Sequence, residues 1–346
     1  VTASSRIRAA AAATAFCLAL AGCGASPEQA GTDAGGAATA SSSAGGGTVK
    51  IATGVDTQTR VLAHYYQQRL AADGVAATVV DVGSSREKIF AALQDGRVSM
   101  VPEFTGDLYV YARQHGLPAD AKPSPSPTAT PNTDAPRGLL DSLGQLLGIT
   151  GETGPSDDDV YRALPNVLPS GLEALDSSGA QRTDRVVVTA ATSAQYNLGD
   201  MNTAGKQCGK LSVGMASGYA DSAQGERGLK AYYDCAPKAT PEFGTTDELV
   251  DALLTDKVQA AVLRSSEPVI EDEALVALDD PDRLFRPERA VVLGSETLED
   301  RAVSSVNAAS ADLRTEDLTT ITRLAGGSAP AMSPEKTAQF VREQPR

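Results

Sequence analysis

The strongest constraint on the fold is a segment that the chain carries twice. "SREKIFAALQDGRVSMV" runs from Ser85 to Val101, and "TTDELVDALLTDKVQAA" runs from Thr245 to Ala261. Aligned without a gap, Ala92-Leu93 falls on Ala252-Leu253, and Arg97-Val98 falls on Lys257-Val258. Ser84-x-x-Glu87 and Thr245-x-x-Glu248 fit the capping box that opens a helix. Apolar residues follow at i, i+3 and i+4: Ile89, Ala92 and Leu93 in one copy, Leu249, Ala252 and Leu253 in the other. This spacing predicts a short helix buried on one face. Gly96 or Asp256 then ends the helix, and the Val- and Ala-containing run that follows reads as a strand. A helix feeding a strand is the half-unit of an α/β sheet. Such units also recur in α/β proteins by chance, so two copies fix the class of structure but not its purpose.

The rest of the chain continues the α/β pattern. The order predicted from Val49 is a strand (Val49–Ala52), a helix (Thr57–Ala72), a strand (Ala76–Val82) and the first repeat copy, ending in "VPEFTGD". Residues 116–137, "GLPADAKPSPSPTATPNTDAPR", are too rich in proline for regular structure and read as an exposed loop. A helical stretch (Gly138–Leu147) and a proline-broken one (Asp157–Leu175) follow, then the buried strand "RVVVTA" from Arg185 to Ala190. "KLSVGM" is predicted as a strand, "GERGLKAYYDC" as a helix, and "VQAAVLRSS" as the strand of the second copy. The tail reads as a strand, "AVVLGS", and helices near Glu299–Ala311 and Glu316–Leu324.

The first residues suggest where the protein works. Arg6 and Arg8 precede an apolar run, Ala9 to Ala21, that is too short to span a membrane but has the form of a secretory signal. It ends Leu20-Ala21-Gly22-Cys23, which resembles the bacterial lipobox. That resemblance implies a signal peptide over residues 1–22 and diacylglycerol on the sulfur of Cys23. It also implies a location on the outer face of the bacterial cell membrane. Residues 23–47 are small and polar and read as a flexible tether. The formal charge of -14, with no clustered Lys and Arg, argues against a nucleic-acid partner. In the body only Cys208 and Cys235 remain, and outside the cytoplasm such a pair reads as a disulfide. A metal site is the competing reading. It needs more ligands than two thiols, and His64 and His115 lie far away in sequence. No metal and no cofactor are expected. No G-x-S-x-G, H-E-x-x-H or phosphate-binding glycine loop is present, so an enzyme is not expected either.

Three stretches are similar to one family. "KIATGVDTQTRVLAHYYQQRLAADG", "GSSREKIFAALQDGRVSMVPEFTGD" and "DDPDRLFRPERAVVL" resemble the substrate-binding proteins of ABC importers for glycine betaine, choline and related quaternary amines. The most specific element is P-E-(F/Y)-T-G, here Pro102 to Gly106, and the likeness extends from Val49 to about Ala325. The resemblance implies a type II periplasmic-binding-protein fold, with two α/β lobes and a ligand cleft between them. One repeat copy would lie in each lobe. Lobe 1 would comprise residues 48–184 and 286–346, and lobe 2 residues 185–285. The protein would act as a monomer that delivers a small organic cation to a membrane permease. The alternative is a non-transport lipoprotein, a sensor or degenerate binding protein acting through protein contacts.

The family's ligand-binding positions map onto Thr53, Gly54, Phe104, Thr105, Asp107, Tyr219, Ser222, Ser265, Ser266 and Glu288. By that likeness the trimethylammonium group lies in an aromatic cage, held by cation–π attraction. Phe104 and Tyr219 keep a ring. Gly54 stands in place of a lysine and Ser222 in place of an arginine, while Asp107 and Glu288 add negative charge. Losing the groups that would grip a carboxylate leans the expected ligand toward a choline-like cation rather than glycine betaine. Desolvated carboxylates need a positive partner, and Arg264 and Arg289 are also available to pair with them.

Overall fold

A computed structural model of the chain describes residues 47–115, 154–326 and 331–345. The expected signal peptide, Cys23, the tether, the proline-rich loop and the Gly138–Leu147 helix lie outside the described residues, apart from Gly47 at the end of the tether. Among the described residues no helix is long and apolar enough to cross a membrane.

The repeat is structural as well as sequential. Helix α1 (Thr57–Ala72) follows strand β1 (Val49–Ala52) and leads to β2 (Ala77–Val80). Then α2 (Arg86–Gln94) feeds β3 (Met100–Phe104), just as α8 (Thr246–Leu254) feeds β9 (Ala260–Arg264). Each boundary of the second copy lies the same distance downstream of its counterpart. The helix ends also match. Gly96 and Asp256 both adopt positive φ, 69° and 57°. The amides of Arg97 and Lys257 each donate back to the carbonyl of Ala92 or Ala252 at 2.9 Å. The starts differ by one position from the expectation. Thr245 and Glu248 form the full capping box, whereas α2 is capped by Ser85 accepting from the Lys88 amide, not by Ser84.

Between these copies, β3 runs without a loop into α3 (Thr105–His115). The segment expected to be a proline-broken helix divides into α4 (Asp157–Ala163), a short 3-10 turn and strand β4 (Leu172–Ala174), since Pro165 and Pro169 interrupt the helical hydrogen bonds. Strands β5 (Gln181–Arg182) and β6 (Asp184–Val188) come next, then α5 (Ala190–Tyr196) and α6 (Met201–Gln207). After β7 (Val213–Ala216), α7 (Glu226–Tyr233) and β8 (Glu242–Phe243) comes the second copy, followed by α9 (Val269–Asp272) and β10 (Val276–Ala277). The chain closes with β11 (Glu288–Ser295), α10 (Asp300–Asp312), α11 (Thr315–Ala325) and α12 (Pro334–Arg342).

These strands form two open sheets flanked by helices, as a type II periplasmic-binding-protein fold requires. The first has the order β2-β1-β3-β11-β4, with β5 also on β11; the second is β10-β6-β9-β7-β8. Their centres correspond. β1 is parallel to β3, and β11 is antiparallel to β3; β7 is parallel to β9, and β6 is antiparallel to β9. The chain passes from one sheet to the other between Arg182 and Asp184, and returns before Glu288.

Side chains alternate across each sheet as the strand period demands. On β11, Ala290 and Val292 face a core built on α1, with Val61, Leu62 and Tyr65, while Val291 and Leu293 face Ile89 and Leu108. In the second sheet Val186 and Val188 face one core and Val187 faces the other, with Leu249 and Leu253 of α8. Two tyrosine hydroxyls in this core are satisfied: Tyr65 donates to the Ala309 carbonyl at 3.0 Å, and Tyr66 bonds Ser310 at 2.9 Å.

Cys208 and Cys235 form a disulfide, with Cα atoms 5.2 Å apart and a sequence separation of 27. Both lie buried in the core of the second sheet. Replacing the two together by alanine is expected to lower the unfolding free energy by roughly 3–4 kcal/mol, the chain-entropy value for a loop of this length. A urea titration of the double variant against the parent measures this directly.

Candidate functional site

A cleft of about 480 Å3 opens between the two sheets. One wall is the start of α1, with Asp56, Thr57 and Gln58, together with Thr322 and Arg323 near the end of α11. The other is the start of α8, with Asp247, and the segment after β9 from Ser266 to Val269. Both α1 and α8 thus turn their N-terminal ends toward the same space, beyond the carboxyl end of a strand, where ligands of open α/β sheets lie. Two contacts bridge the walls. Gln58 Nε2 donates to Ser266 Oγ at 2.9 Å, and Arg323 makes a forked pair with Asp272 at 2.7 and 2.9 Å.

Arg182 lies at the base of this cleft, with its side chain only 2% exposed. Its guanidinium carbon stands 3.4 Å from the centre of the Phe104 ring. Nε donates to Glu288 at 2.9 Å, Nη1 to Asp56 and to Gln58 Oε1 at 2.8 Å each, and Nη2 to Asp107 at 3.3 Å. Two further arginines complete the cluster. Arg86 grips the fully buried Glu103 through two bonds of 3.0 Å and reaches Asp107 at 3.2 Å; Arg264 reaches Glu288 at 3.3 Å. Three guanidinium groups therefore face Asp56, Glu103, Asp107 and Glu288. Buried charges survive only when paired in this way, because taking an ion out of water costs several kcal/mol that close partners must offset.

The proton balance follows from this geometry. Burial alone raises Asp107, but Arg86, Arg182 and Arg264 more than offset it and hold the carboxyl below its usual range. Glu288 moves the other way, up to about 7, through burial and then the nearby charge of Asp107. Burial also raises Glu103, against the pull of Arg86. Asp56 is lowered: burial opposes ionisation, but Arg182 and the Thr59 cap outweigh it.

Only one of the expected site residues, Ser266, lines the cleft. Phe104 is fully buried beneath Arg182, and Asp107 and Glu288 flank that arginine. Thr105 is buried and accepts from the Arg289 amide at 3.0 Å. Gly54 adopts φ 79° where a Cβ would strike Thr59, and the amide of the preceding Thr53 binds the Val80 carbonyl. Tyr219 donates to Asp184 at 2.8 Å, Ser265 accepts from the Thr183 amide, and the Ser222 hydroxyl is buried. Arg264 pairs with Glu288 as anticipated, whereas Arg289 turns away to Asp157 and Asp158. Sequence reasoning did not single out Arg182, Asp56, Gln58 or Arg86. The one local signal was an arginine, Arg182, beside the residue where the chain changes sheets. Among the described residues no His, Cys, Asp and Glu group fits a metal.

Because Glu288 binds its proton more tightly in the folded chain than in the unfolded one, stability falls as pH rises from the usual carboxylate range through about 7. Glu288→Gln removes this contribution. A series of thermal melts between pH 5 and 8 is expected to show a shallower loss of Tm for the variant than for the parent, with a residual slope left by Glu103.

A sequence profile described as the substrate binding domain of ABC-type glycine betaine transport systems matches residues 47–334. No curated protein matches the sequence. Among solved structures, a glycine betaine/carnitine/choline ABC transporter protein is 18% identical, with a TM-score of 0.62 over 84% of this chain and 96% of that one. Apo YehZ from Escherichia coli is 15% identical, with a TM-score of 0.59 over 85% and 97%. At these identities the likeness is one of fold, while the profile spans most of the chain. With two matching α/β sheets, a cleft where their helices converge, and a profile covering both, the chain belongs to the family of substrate-binding domains of ABC-type glycine betaine transport systems.

Proposed function

We propose that this protein is the extracytoplasmic solute-binding component of an ABC importer, anchored by lipid on Cys23, and that it captures a choline-like cation between two lobes. The family membership supports a binding role rather than catalysis. The lobes in this reading are residues 48–184 with 286–346, and residues 185–285. The loaded protein would close, and both lobes would dock on the permease, which recognises the spacing of the closed state.

One observation carries the choice of ligand. Glu267 lines the cleft half-buried, and among the described residues it is in no ion pair. Burial raises its proton affinity despite the nearby Arg264, so the carboxylate gains most from an added positive charge. Asp247, on the same wall, adds to that field. Asp107 and Glu288 do not add to this argument, because arginines already neutralise them. A second reading, a sensor or degenerate binding protein without transport, draws support from the guanidinium already seated on Phe104.

Calorimetric titration of residues 24–346 with choline, glycine betaine and carnitine separates the two. Choline is expected to bind in the micromolar range, about tenfold tighter than glycine betaine, and Glu267→Gln is expected to weaken it by about tenfold, the equivalent of one charge-assisted contact. No binding of any of the three would favour the non-transport reading.

A further inference from the structure

We propose that Arg182 is a resident cation: its guanidinium fills the seat over Phe104 from within the chain, bars external quaternary ammonium groups from that seat, and leaves a solute cation to the Glu267 side of the cleft. The last clause rests on the solute-binding reading above. The first two do not.

The seat is built for a cation. Phe104 presents its ring face, and Asp56, Asp107 and Glu288 surround the position 3.4 Å above it. Gly106 makes room for one of these acids, since a Cβ there would stand 2.9 Å from the Glu288 side chain. The bonds to Glu288, Asp56, Gln58 and Asp107 occupy four of the five guanidinium N–H groups. Each of these partners lies on α1, α3 or β11, elements of the first sheet and its helices, so the seat stays filled whether or not the second sheet is close.

An external ammonium would have to displace this group. A tethered cation competes at an effective concentration far above that of a free solute. A quaternary ammonium also has no N–H to give, so exchanging it for Arg182 would take one donor from each of Asp56, Asp107 and Glu288 and the arginine donor from Gln58 Oε1. The ring attraction alone is too small to repay those losses. What remains open is the cleft beyond Arg182, where Glu267 stands without an ion pair among the described residues.

The test removes the resident cation and asks whether the seat accepts an external one. Full-length parent and Arg182→Ala are titrated with tetramethylammonium and with methylguanidinium. The variant is expected to bind both about tenfold or more tightly than the parent, and adding Phe104→Leu to it should abolish the gain. A folded Arg182→Ala that binds neither ion more tightly overturns the proposal, as does a gain that survives Phe104→Leu. Because three acids face one another once the guanidinium is gone, Arg182→Ala/Glu288→Gln is run in parallel and judged by the same criteria. If neither variant folds unaided, refolding by methylguanidinium but not by sodium chloride of equal ionic strength supports the seat, and failure to refold overturns it. Parent protein that binds no choline would remove the solute-binding reading and leave this result intact. Absence of the gain would remove the resident cation and leave choline binding intact.

Discussion

The Arg182 guanidinium ties together the base of the cleft. It joins the start of α1 through Asp56 and Gln58, the start of α3 through Asp107, and the start of β11 through Glu288. Three elements far apart in sequence therefore meet around one charge. The Phe104 ring closes the underside of the guanidinium, and burial strengthens above all its pairing with Glu288, the least exposed of its acidic partners. If the arginine were absent, only Arg86 and Arg264 would remain to balance the acids, and leaving buried charge under-compensated is costlier than the pairings themselves are favourable.

This arrangement changes the meaning of the negative charges near the cleft. Asp107 and Glu288 are already paired with Arg86, Arg182 and Arg264, and burial with the charge of Asp107 raises the proton affinity of Glu288. The carboxylates of the opposite wall, Glu267 and Asp247, lie outside these pairings. A cation over an aromatic ring is thus present here with the chain itself as the cation.

The repeat accounts for the architecture. Two copies of a helix and strand generate two sheets with the same central order, each completed by an antiparallel strand that arrives from beyond the other sheet. That exchange places two crossing segments side by side, and Arg182 and Glu288 sit on them. The contacts across the cleft, Gln58 with Ser266 and Arg323 with Asp272, then rely on the same two crossings for their alignment.

Much of this was legible locally. The 3.6-residue spacing of Ile89, Ala92 and Leu93 and the Thr245 cap specified their helices, because those signals act over a few residues and depend on no distant partner. The cysteine pair was readable for a similar reason of chemistry and compartment. The direct passage from β3 into α3 was not, since Thr105 and Gly106 carry no turn signal. Nor was the site: Phe104, Asp107 and Glu288 were found by family likeness, but Arg182 reaches its acids across sequence separations of 75, 106 and 126 residues. No local period encodes such a meeting. The sequence by itself determined which segments become helix and strand, and that two similar units exist. Only the tertiary structure decided which charges meet at the base of the cleft, because burial, and with it the strength of each pairing, exists only once both sheets have closed around them.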